Sequence, residues 1–414
     1  MNFIYNIVIH PIYFILKIIA LFNSKINLFV NGRKKSFQLL ETIKPTDKTI
    51  WFHAASLGEF EQGRPIIEYL KKSNPDYKIV LTFFSPSGYE VRKNYNKADV
   101  ICYLPFDTKR NMQKFISLVH PEVAIIIKYE FWPNLLNQLK KENITTILAS
   151  GIFREKQLFF KPYGAFMRKK LEAFHHFFVQ NESSKNLLNS INFSNVTISG
   201  DTRFDRVYDI LQQKNHLDFI KDFQQNCFTI VAGSTWKEDE ELLIEYINTK
   251  MQNNEKVIIA PHNINHKEIA RIKNNIQTKK VILFSEHNNK KLSDYDVLII
   301  DTIGLLTKIY AHADIAYVGG GLATGLHNIL EPATYGIPVI FGGKKHFKFQ
   351  EAIDLINRKS VTIVTDFEQL SSIFVTLKAN KSLRESMGTL NIEYIRENIG
   401  ATKLITDFLH SQLK

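Results

Sequence analysis

The chain contains few cysteines. Cys102 and Cys227 are the two in 414 residues. They lie far apart, each beside an apolar run typical of a strand, so we interpret both as small buried hydrophobic side chains. The sequence therefore predicts neither a disulfide framework nor a cysteine metal site, and no cysteine pattern points outside the cytoplasm. Metal-ligand spacings and a Ser-His-Asp nucleophile set are also missing, so we expect no metal.

Nucleic-acid-binding motifs are missing as well. The chain carries 53 Lys and Arg against 41 Asp and Glu, a formal net charge of +12. This excess suggests an acidic partner such as a phosphate-bearing lipid or nucleotide. We expect no nucleic acid, because there is no basic helix, zinc pattern or aromatic RNA-binding signature. A lysine-rich surface without a specific target is the alternative explanation.

Short apolar runs alternate with helical stretches along the chain and predict an α/β fold. The runs are continuous and rich in Val, Ile and Phe, as expected for parallel strands that are covered on both faces. At roughly 100–200 residues per domain, the length predicts two domains, each a doubly wound sheet. The runs are Ile50–Ala54, Ile79–Phe83, Val100–Tyr103, Val123–Ile127, Thr146–Ala149, Phe177–Val179, Val196–Ile198, Thr229–Ala232, Val257–Ala260, Val281–Phe284, Val297–Ile300, Ile315–Val318, Val339–Phe341 and Val361–Val364.

Domain boundaries follow from the same pattern. Residues 208–225 are polar and carry no strand signal, so we place the interdomain connection there. The first domain is then 25–207 and the second 226–414. Ligands of such sheets bind beyond the carboxyl ends of the strands, so polar groups at those ends are the site candidates.

The N-terminus is strongly apolar from Phe3 to Phe22. Its length is close to the roughly 20 residues of a spanning helix, and basic residues follow from Lys25 to Lys35. We therefore predict a membrane anchor over residues 1–24, spanning or lying in the interface, with the rest on the cytoplasmic face. A cleaved signal is not expected, since the charged n-region and the cleavage site are missing. The alternative is a helix packed on the protein body.

Three polar residues follow predicted strands of the first domain. Glu59 comes after a turn of small residues and is placed to take a proton from a hydroxyl, the alternative being a carboxylate that caps the helix. Glu130 is a second carboxylate candidate. Arg203 either meets a phosphate or sugar carboxylate, or forms a salt bridge with Asp201 or Asp205.

The stretch Val318–Phe341 is the main nucleotide candidate in the second domain. Three glycines follow a predicted strand, and a helix is predicted over residues 328–335. Bare backbone N–H groups at such a turn suit a phosphate. Asn328 and Glu331 share a helix face and are placed to hold a ribose. A tight turn before a packed helix is the alternative.

Other strand ends of the second domain also carry small or polar groups. Hydroxyls at 234 and 235 either cap the next helix, with Glu238 completing a capping box, or bind phosphate. These groups are Gly233, Ser234, Thr235, Pro261, His262 and the stretch D-T-I-G-L-L at 301–306.

The motifs together resemble those of the 3-deoxy-D-manno-octulosonic acid (Kdo) transferases. H-A-A-S-L-G-E, F-W-P-N, G-D-T-R-F-D, D-T-I-G and G-G-G…H-N-I-L-E-P-A stand in that family's order. The resemblance implies a GT-B glycosyltransferase fold, with two Rossmann-like domains facing a cleft and a terminal helix returning to the first. It implies CMP-Kdo as donor, a lipid A precursor as acceptor, inversion at the sugar and no cofactor or metal. The implied setting is lipopolysaccharide synthesis at the inner membrane, on anionic lipid.

The resemblance also implies roles for individual residues. Glu59 falls at the general base and Arg203 at a position that stabilises the transition state. The implied CMP contacts are Pro261, His262, Ile303, Gly304, Leu305, Asn328, Ile329, Leu330 and Glu331.

Four positions depart from the family pattern. Arg203 stands where Lys is frequent, and His262 where Arg is frequent. Lys128 and Leu305 each stand where an acidic residue is common. Two other functions fit the same residues: another GT-B enzyme, such as a UDP-sugar transferase or a sugar-nucleotide epimerase, and a non-catalytic nucleotide-binding membrane protein.

Overall fold

The computed structural model describes residues 2–323 and 325–413. The chain forms two compact units. Unit 1 comprises Met1–Arg206 and Asn398–Lys414, and unit 2 comprises Val207–Glu397. Residues 208–225, predicted to be the connection, hold the end of one helix and the whole of another.

Unit 1 contains a sheet of seven parallel strands in the order β3-β2-β1-β4-β5-β6-β7. The order reverses between β1 and β4, which is where a ligand site is expected in a doubly wound sheet. The strands are β1 (Thr49–Ala54), β2 (Lys78–Phe83), β3 (Val100–Tyr103), β4 (Val123–Ile127), β5 (Thr145–Gly151), β6 (His176–Val179) and β7 (Val196–Ile198).

Helices cover both faces of this sheet, which is why its strands are apolar throughout. They are α1 (Asn2–Ile19), α2 (Ser24–Gly32), α3 (Ser36–Leu40), α4 (Leu57–Ser73), α5 (Pro86–Arg92), α6 (Lys109–Val119), α7 (Pro133–Lys141), α8 (Ala165–Leu171), α9 (Glu182–Asn189) and α10 (Arg203–Ile210), which runs into unit 2.

Unit 2 contains a second seven-stranded parallel sheet, in the order β10-β11-β9-β8-β12-β13-β14. Its order reverses between β8 and β12. The strands are β8 (Phe228–Thr235), β9 (Glu255–Pro261), β10 (Val281–Leu283), β11 (Val297–Ile299), β12 (Ile315–Val318), β13 (Val339–Gly342) and β14 (Val361–Val364). Every run predicted to be a strand is one, with some ends shifted, and the prediction of two parallel α/β sheets is confirmed.

The remaining helices follow in chain order. They are α11 (Asp218–Gln224), α12 (Lys237–Thr249), α13 (His266–Asn275), α14 (Leu306–Ile309), α15 (Leu330–Thr334), α16 (Gln350–Asn357), α17 (Phe367–Ala379), α18 (Lys381–Glu397) and α19 (Ala401–Gln412). Helix α19 belongs to unit 1, where Ile405 and Leu409 are buried in the core beside β1 and α4. Asp205 accepts hydrogen bonds from the backbone N–H groups of Gly400 and Thr402 and so fixes the start of α19.

Helix α1 lies on unit 1 with one narrow stripe facing the body. Ile9 is buried there, as is Ala20 just after the helix, and the opposite face is exposed. In the part of the chain that the structure describes, no helix has the length and apolar character needed to cross a membrane. The spanning form of the predicted anchor is therefore not supported. The exposed large side chains of this region are Phe3, Ile4, Ile7, Val8, Ile12, Phe14, Ile15, Ile18, Ile19, Leu21 and Phe22.

Candidate functional site

Glu59 lies in the first turn of α4, directly after β1, and is 4% exposed. Its Oε2 accepts a hydrogen bond from the backbone N–H of Ala55 at 2.5 Å. Burial raises the pKa of the Glu59 carboxyl, the Ala55 N–H opposes this, and the charge of Glu130 raises it further. A carboxylate with a raised pKa is a better proton acceptor near neutral pH, so Glu59 is suited to general base chemistry.

Glu130 lies just beyond β4, the neighbour of β1. His53 of β1 places its Nε2 3.4 Å from Glu130 Oε2, and Trp132 donates its Nε1–H to the same oxygen at 2.7 Å. Burial raises the pKa of Glu130, but the hydrogen bonds from His53 and Trp132 outweigh burial and lower it. The two carboxyls of this edge therefore have pKa values shifted in opposite directions, an arrangement that gives paired carboxyls different roles.

Residues with left-handed backbone conformations stand at the ends of three strands. They are Lys128 after β4 (φ 69°), Ser150 in β5 (φ 52°) and Ser234 in β8 (φ 54°). The strand pairing also shifts register at Ser150 and Ser234. Such conformations cost about 1–3 kcal/mol each and concentrate at functional sites. The charge of Lys128, where the family often has an acid, lowers the pKa of Glu59.

Arg203 forms a salt bridge with Asp201, which is one of the two alternatives that the sequence left open for it. Its Nε and Nη2 lie 2.9 and 2.8 Å from Asp201 Oδ2. Gln62, one turn after Glu59 on α4, donates to the same oxygen at 2.9 Å. The buried Asp201 thus ties the arginine to the helix that carries Glu59, while Asp205 is engaged elsewhere.

The glycine-rich turn of unit 2 differs from the prediction. The N–H of Gly319 donates to the carbonyl of Gly233 at 2.9 Å, and the N–H of Gly320 donates to Asp239 Oδ2 at 2.8 Å. These two groups are therefore engaged within the protein. A Cβ on Gly321 would lie 2.1 Å from the carbonyl oxygen of Gly342, so close packing accounts for this glycine.

The buried side chain of Asp239 accepts the hydrogen bonds that hold this turn in place. Its carboxylate accepts hydrogen bonds from Tyr317 Oη at 2.7 Å, the Trp236 N–H at 2.9 Å and the Gly320 N–H. Burial raises the pKa of Asp239, and these donors oppose the rise. Asp239 therefore joins β12, the start of α12 and the glycine turn through one side chain.

The predicted caps of α12 are wrong. Helix α12 is capped at Trp236, and Asp239 fills the acidic position of the cap instead of Glu238. Strand β8 continues through Thr235, whose hydroxyl donates to Glu240 Oε1 at 3.0 Å in the interior. Gly233 is required by packing, because a Cβ there would lie 2.1 Å from Tyr310 Oη.

Three aromatic rings stack at the carboxyl ends of β8, β9 and β12. The centroids of Trp236 and His262 are 4.6 Å apart, as are those of His262 and His327. Trp236 donates its Nε1–H to His327 Nε2 at 2.9 Å. Burial and the neighbouring His262 lower the pKa of His327 to about 4, so His327 is a neutral acceptor. Burial also lowers the pKa of His262, the exposed ring.

The remaining candidates lie in two neighbouring segments, residues 303–305 before α14 and residues 328–331 at the start of α15. Glu331 joins them, since its Oε2 accepts from Thr307 Oγ1 at 2.8 Å and its Oε1 from Asn328 Nδ2 at 3.1 Å. Helix α15 starts at Leu330 and not at Asn328, so the predicted shared helix face is wrong. Asn328 lies before the N-cap residue Ile329, and its side chain accepts from the Leu330 N–H at 3.1 Å.

The candidate CMP contacts differ in solvent exposure. Ile303 is 89% exposed, and Gly304 beside it has a φ of 95°. Ile329 and Leu330 are buried, as is Pro261. Leu305 is half-buried and precedes α14. The side chains of these buried residues are not exposed to solvent.

Sequence reasoning missed five residues that organise these edges. Glycine-turn and strand-end patterns do not reveal a partner that arrives from another strand. The available signal was that His53 lies in the motif H-A-A-S-L-G-E and His327 in the motif H-N-I-L-E-P-A. The missed residues are His53, Trp132, Trp236, Asp239 and His327. Within the described ranges, no group of three or more His, Cys, Asp or Glu side chains could hold a metal ion.

Comparisons with known proteins find relatives of this sequence and of this fold. A family model described as 3-Deoxy-D-manno-octulosonic-acid transferase (kdotransferase) matches residues 31–206. An Aquifex aeolicus 3-deoxy-D-manno-octulosonic acid transferase is 28% identical over 375 residues, covering 88% of this chain and 97% of its own. A Fusobacterium nucleatum bifunctional glycosyltransferase/methyltransferase is 25% identical over 378 residues, or 88% of this chain, and the chain spans 58% of that relative's length.

Among solved structures, the UDP-GlcNAc 2-epimerase of Neisseria meningitidis has a TM-score of 0.61 and 18% identity, covering 88% of this chain and 100% of its own. At that identity the likeness shows the fold alone. The class is that of two-unit, parallel-sheet α/β proteins that resemble the GT-B glycosyltransferases. Within it, the sequence is similar to the Kdo transferases over most of its length, which supports assignment to that family.

Proposed function

We propose that this chain transfers Kdo from CMP-Kdo to a hydroxyl of a lipid A precursor in lipopolysaccharide synthesis. Its similarity to the Kdo transferases supports glycosyltransferase activity. The observation that carries the proposed chemistry is the buried Glu59 carboxyl with its raised pKa, next to the ionised Glu130.

The reaction is a direct displacement at the sugar. The lipid hydroxyl oxygen bonds to the anomeric carbon of Kdo, and its proton passes to Glu59. The bond from that carbon to the CMP phosphate oxygen breaks, and its electron pair leaves with the phosphate. One displacement inverts the anomeric centre, and protonated Glu59 later returns its proton to water.

Charge stabilisation is the proposed task of Arg203. Asp201 and Gln62 hold its guanidinium in place, and a held cation stabilises charge without reorganising during the reaction. Lys in its place would keep the charge but lose the two-point contact with Asp201.

Unit 2 is the proposed donor unit. The exposed His262 ring packs on both Trp236 and His327, and a flat cytosine could stack on its exposed side. Asn328 and Glu331 lie beside the exposed loop at 303 and offer polar groups to a ribose. The candidate CMP contacts at Pro261, Ile329 and Leu330 would act through backbone atoms.

Helix α1 is proposed to bind the membrane surface without crossing it. Its exposed face carries large aliphatic and aromatic side chains, such as Phe14 at 64% exposed. An apolar patch of this extent on a basic protein fits the interface of an anionic membrane. This would bring unit 1 to the inner membrane, where a lipid acceptor is found.

The direct test is incubation of the purified chain with CMP-Kdo and a lipid A precursor, with products read by mass. A mass increase of one or more Kdo residues, together with release of CMP, is expected. UDP-GlcNAc as donor separates the alternative enzymes, and a thermal shift with CMP but not UDP reports the donor base. Turnover of the UDP-sugar, or no turnover of CMP-Kdo, would overturn the proposal.

A further inference from the structure

Two polar contacts fix the first turn of helix α1 on unit 1. The Tyr5 hydroxyl donates to Asp107 Oδ2 at 2.8 Å, and Asn6 Oδ1 accepts from Asn134 Nδ2 at 2.8 Å. Further along the helix, the Tyr13 ring stacks on Phe106 at 4.6 Å between centroids. An apolar helix that only packed on the body would not need partners at specific polar atoms.

Asp107 is also the cap of another helix. Its Oδ2 accepts from the N–H of Asn134 at 3.0 Å, and its Oδ1 from the N–H of Leu135 at 2.9 Å. These N–H groups belong to the first turn of α7, where the helix itself supplies no acceptor. Asp107 is 4% exposed, so losing the Tyr5 hydrogen bond would leave a buried carboxylate under-coordinated.

Helix α7 begins one residue after Trp132, the donor to Glu130. The Trp132 ring stacks on Phe84 at 4.8 Å, and Phe84 contacts Phe29 of α2 at 5.1 Å. The N-terminal helices therefore support the segment that carries Glu130 in two ways, through the cap of α7 and through the Trp132 ring.

We propose that Tyr5 and Asn6 are positioning residues of the acceptor site, acting through Asp107 and α7 on Trp132 and Glu130. The apolar helix is then part of the reaction centre's support as well as a contact for lipid. A lipid surface that seats α1 would favour the reactive arrangement of Glu130. This inference rests on the proposed function of unit 1.

The test compares Tyr5→Phe with the wild type in the full chain. Tyr163→Phe, at an exposed tyrosine, is the matched control. The Tyr5 variant keeps the ring and loses one donor. We expect kcat on detergent-dispersed acceptor to fall about tenfold or more, with KM for CMP-Kdo unchanged, because a small displacement of reacting groups is costly.

A second measurement does not depend on activity. Backbone amide exchange at Asn134 and Leu135 should become about tenfold faster in Tyr5→Phe, with exchange in unit 2 unchanged. Asn6→Ala, which removes the other contact, should act in the same direction and serves if Tyr5→Phe does not fold. Faster exchange confined to the start of α7 supports the inference. Unchanged exchange, or an increase throughout the chain, overturns it.

The two measurements also separate this inference from the proposed function. If the wild type fails to transfer Kdo, the function is wrong, and amide exchange still decides whether α1 supports α7. If the wild type is active and Tyr5→Phe matches Tyr163→Phe in kcat, the positioning role is wrong while the function stands.

Discussion

His53 Nε2 and Glu130 Oε2 lie 3.4 Å apart, although 77 positions separate the two residues in the chain. Parallel pairing of β1 with β4 brings them together at the carboxyl edge of the sheet. The other ring nitrogen of His53 lies 2.9 Å from Thr82 Oγ1, so β2 orients the imidazole. This contact lowers the pKa of Glu130 against the effect of burial and places an ionised group beside Glu59.

Replacing Glu130 by Gln should shift the pH dependence of transfer. The charge of Glu130 raises the pKa of Glu59, so its removal lowers that pKa. The acidic limb of the kcat/KM profile, which reports the base of the free enzyme, should therefore move to lower pH. Glutamine retains an oxygen for Trp132. An unmoved limb, or one at higher pH, would show that Glu59 is not the titrating base.

Replacing Glu59 by Gln should slow transfer by orders of magnitude and stabilise the fold. Loss of a general base costs about 10²–10⁴-fold in kcat. Because the pKa of Glu59 is raised in the folded state, its ionisation disfavours folding as pH rises past its ordinary value. The Gln variant should thus unfold at a higher denaturant concentration at pH 7, with CMP binding intact.

The control for this variant is Glu68→Gln, on the same helix, where the partly exposed carboxylate pairs with Arg64. It should change neither kcat nor the denaturation midpoint appreciably, since surface ion pairs contribute about 0–1 kcal/mol. Near-normal turnover of Glu59→Gln would remove Glu59 from the mechanism, whatever its effect on stability.

Asp239→Asn should loosen the glycine turn of unit 2. An amide cannot accept at both positions as the carboxylate does, so at least one buried donor among Tyr317, Trp236 and Gly320 loses its partner. The free energy of unfolding should fall by about 1–3 kcal/mol. CMP affinity, measured by calorimetry, should fall with it. Glu238→Gln, the exposed neighbour, is the matched control, and equal behaviour of the two variants would contradict the role of Asp239.

His327 should make the protein sensitive to acid. Its pKa is lowered to about 4 in the folded state from an ordinary 6.5, so the unfolded chain binds the proton more readily between these values. The contribution of His327 to the free energy of unfolding is therefore fully present above pH 6.5 and is lost as the pH falls towards 4. His327→Asn keeps an acceptor for Trp236 and does not titrate.

Denaturant titrations at pH 7 and pH 5 check this. The loss of stability between them should be smaller in His327→Asn than in the wild type, while His266→Asn, at an exposed histidine, should match the wild type. An equal loss in all three proteins would show that His327 does not drive the acid sensitivity.

Local sequence predicted the sheets well because a strand covered on both faces must be apolar along its whole length. Runs such as Val123–Ile127 are therefore strands in the structure with the same ends. The position of Glu59 after β1 was predicted from the same pattern, and its role stays a prediction. The helix expected over 328–335 is shorter and begins at Leu330, because Asn328 lies in the turn before it and accepts from the Leu330 N–H.

Local sequence patterns could not predict hydrogen bonds between segments that are distant in the chain. The glycines at 319 and 320 predicted open N–H groups, yet the carbonyl of Gly233 and the side chain of Asp239 occupy them. Likewise, an apolar N-terminus predicted an anchor but not the contacts of Tyr5 with Asp107.

By itself, the order of apolar runs, turns and motifs determined two parallel α/β sheets and a resemblance to one family. Periodicity and residue type act through neighbouring residues, so they can be read along the chain. Only the tertiary structure decided which of the two carboxyls, Glu59 or Glu130, has the raised pKa. The reason is that the fold alone buries Glu59 and brings the hydrogen-bond donors His53 and Trp132 to Glu130.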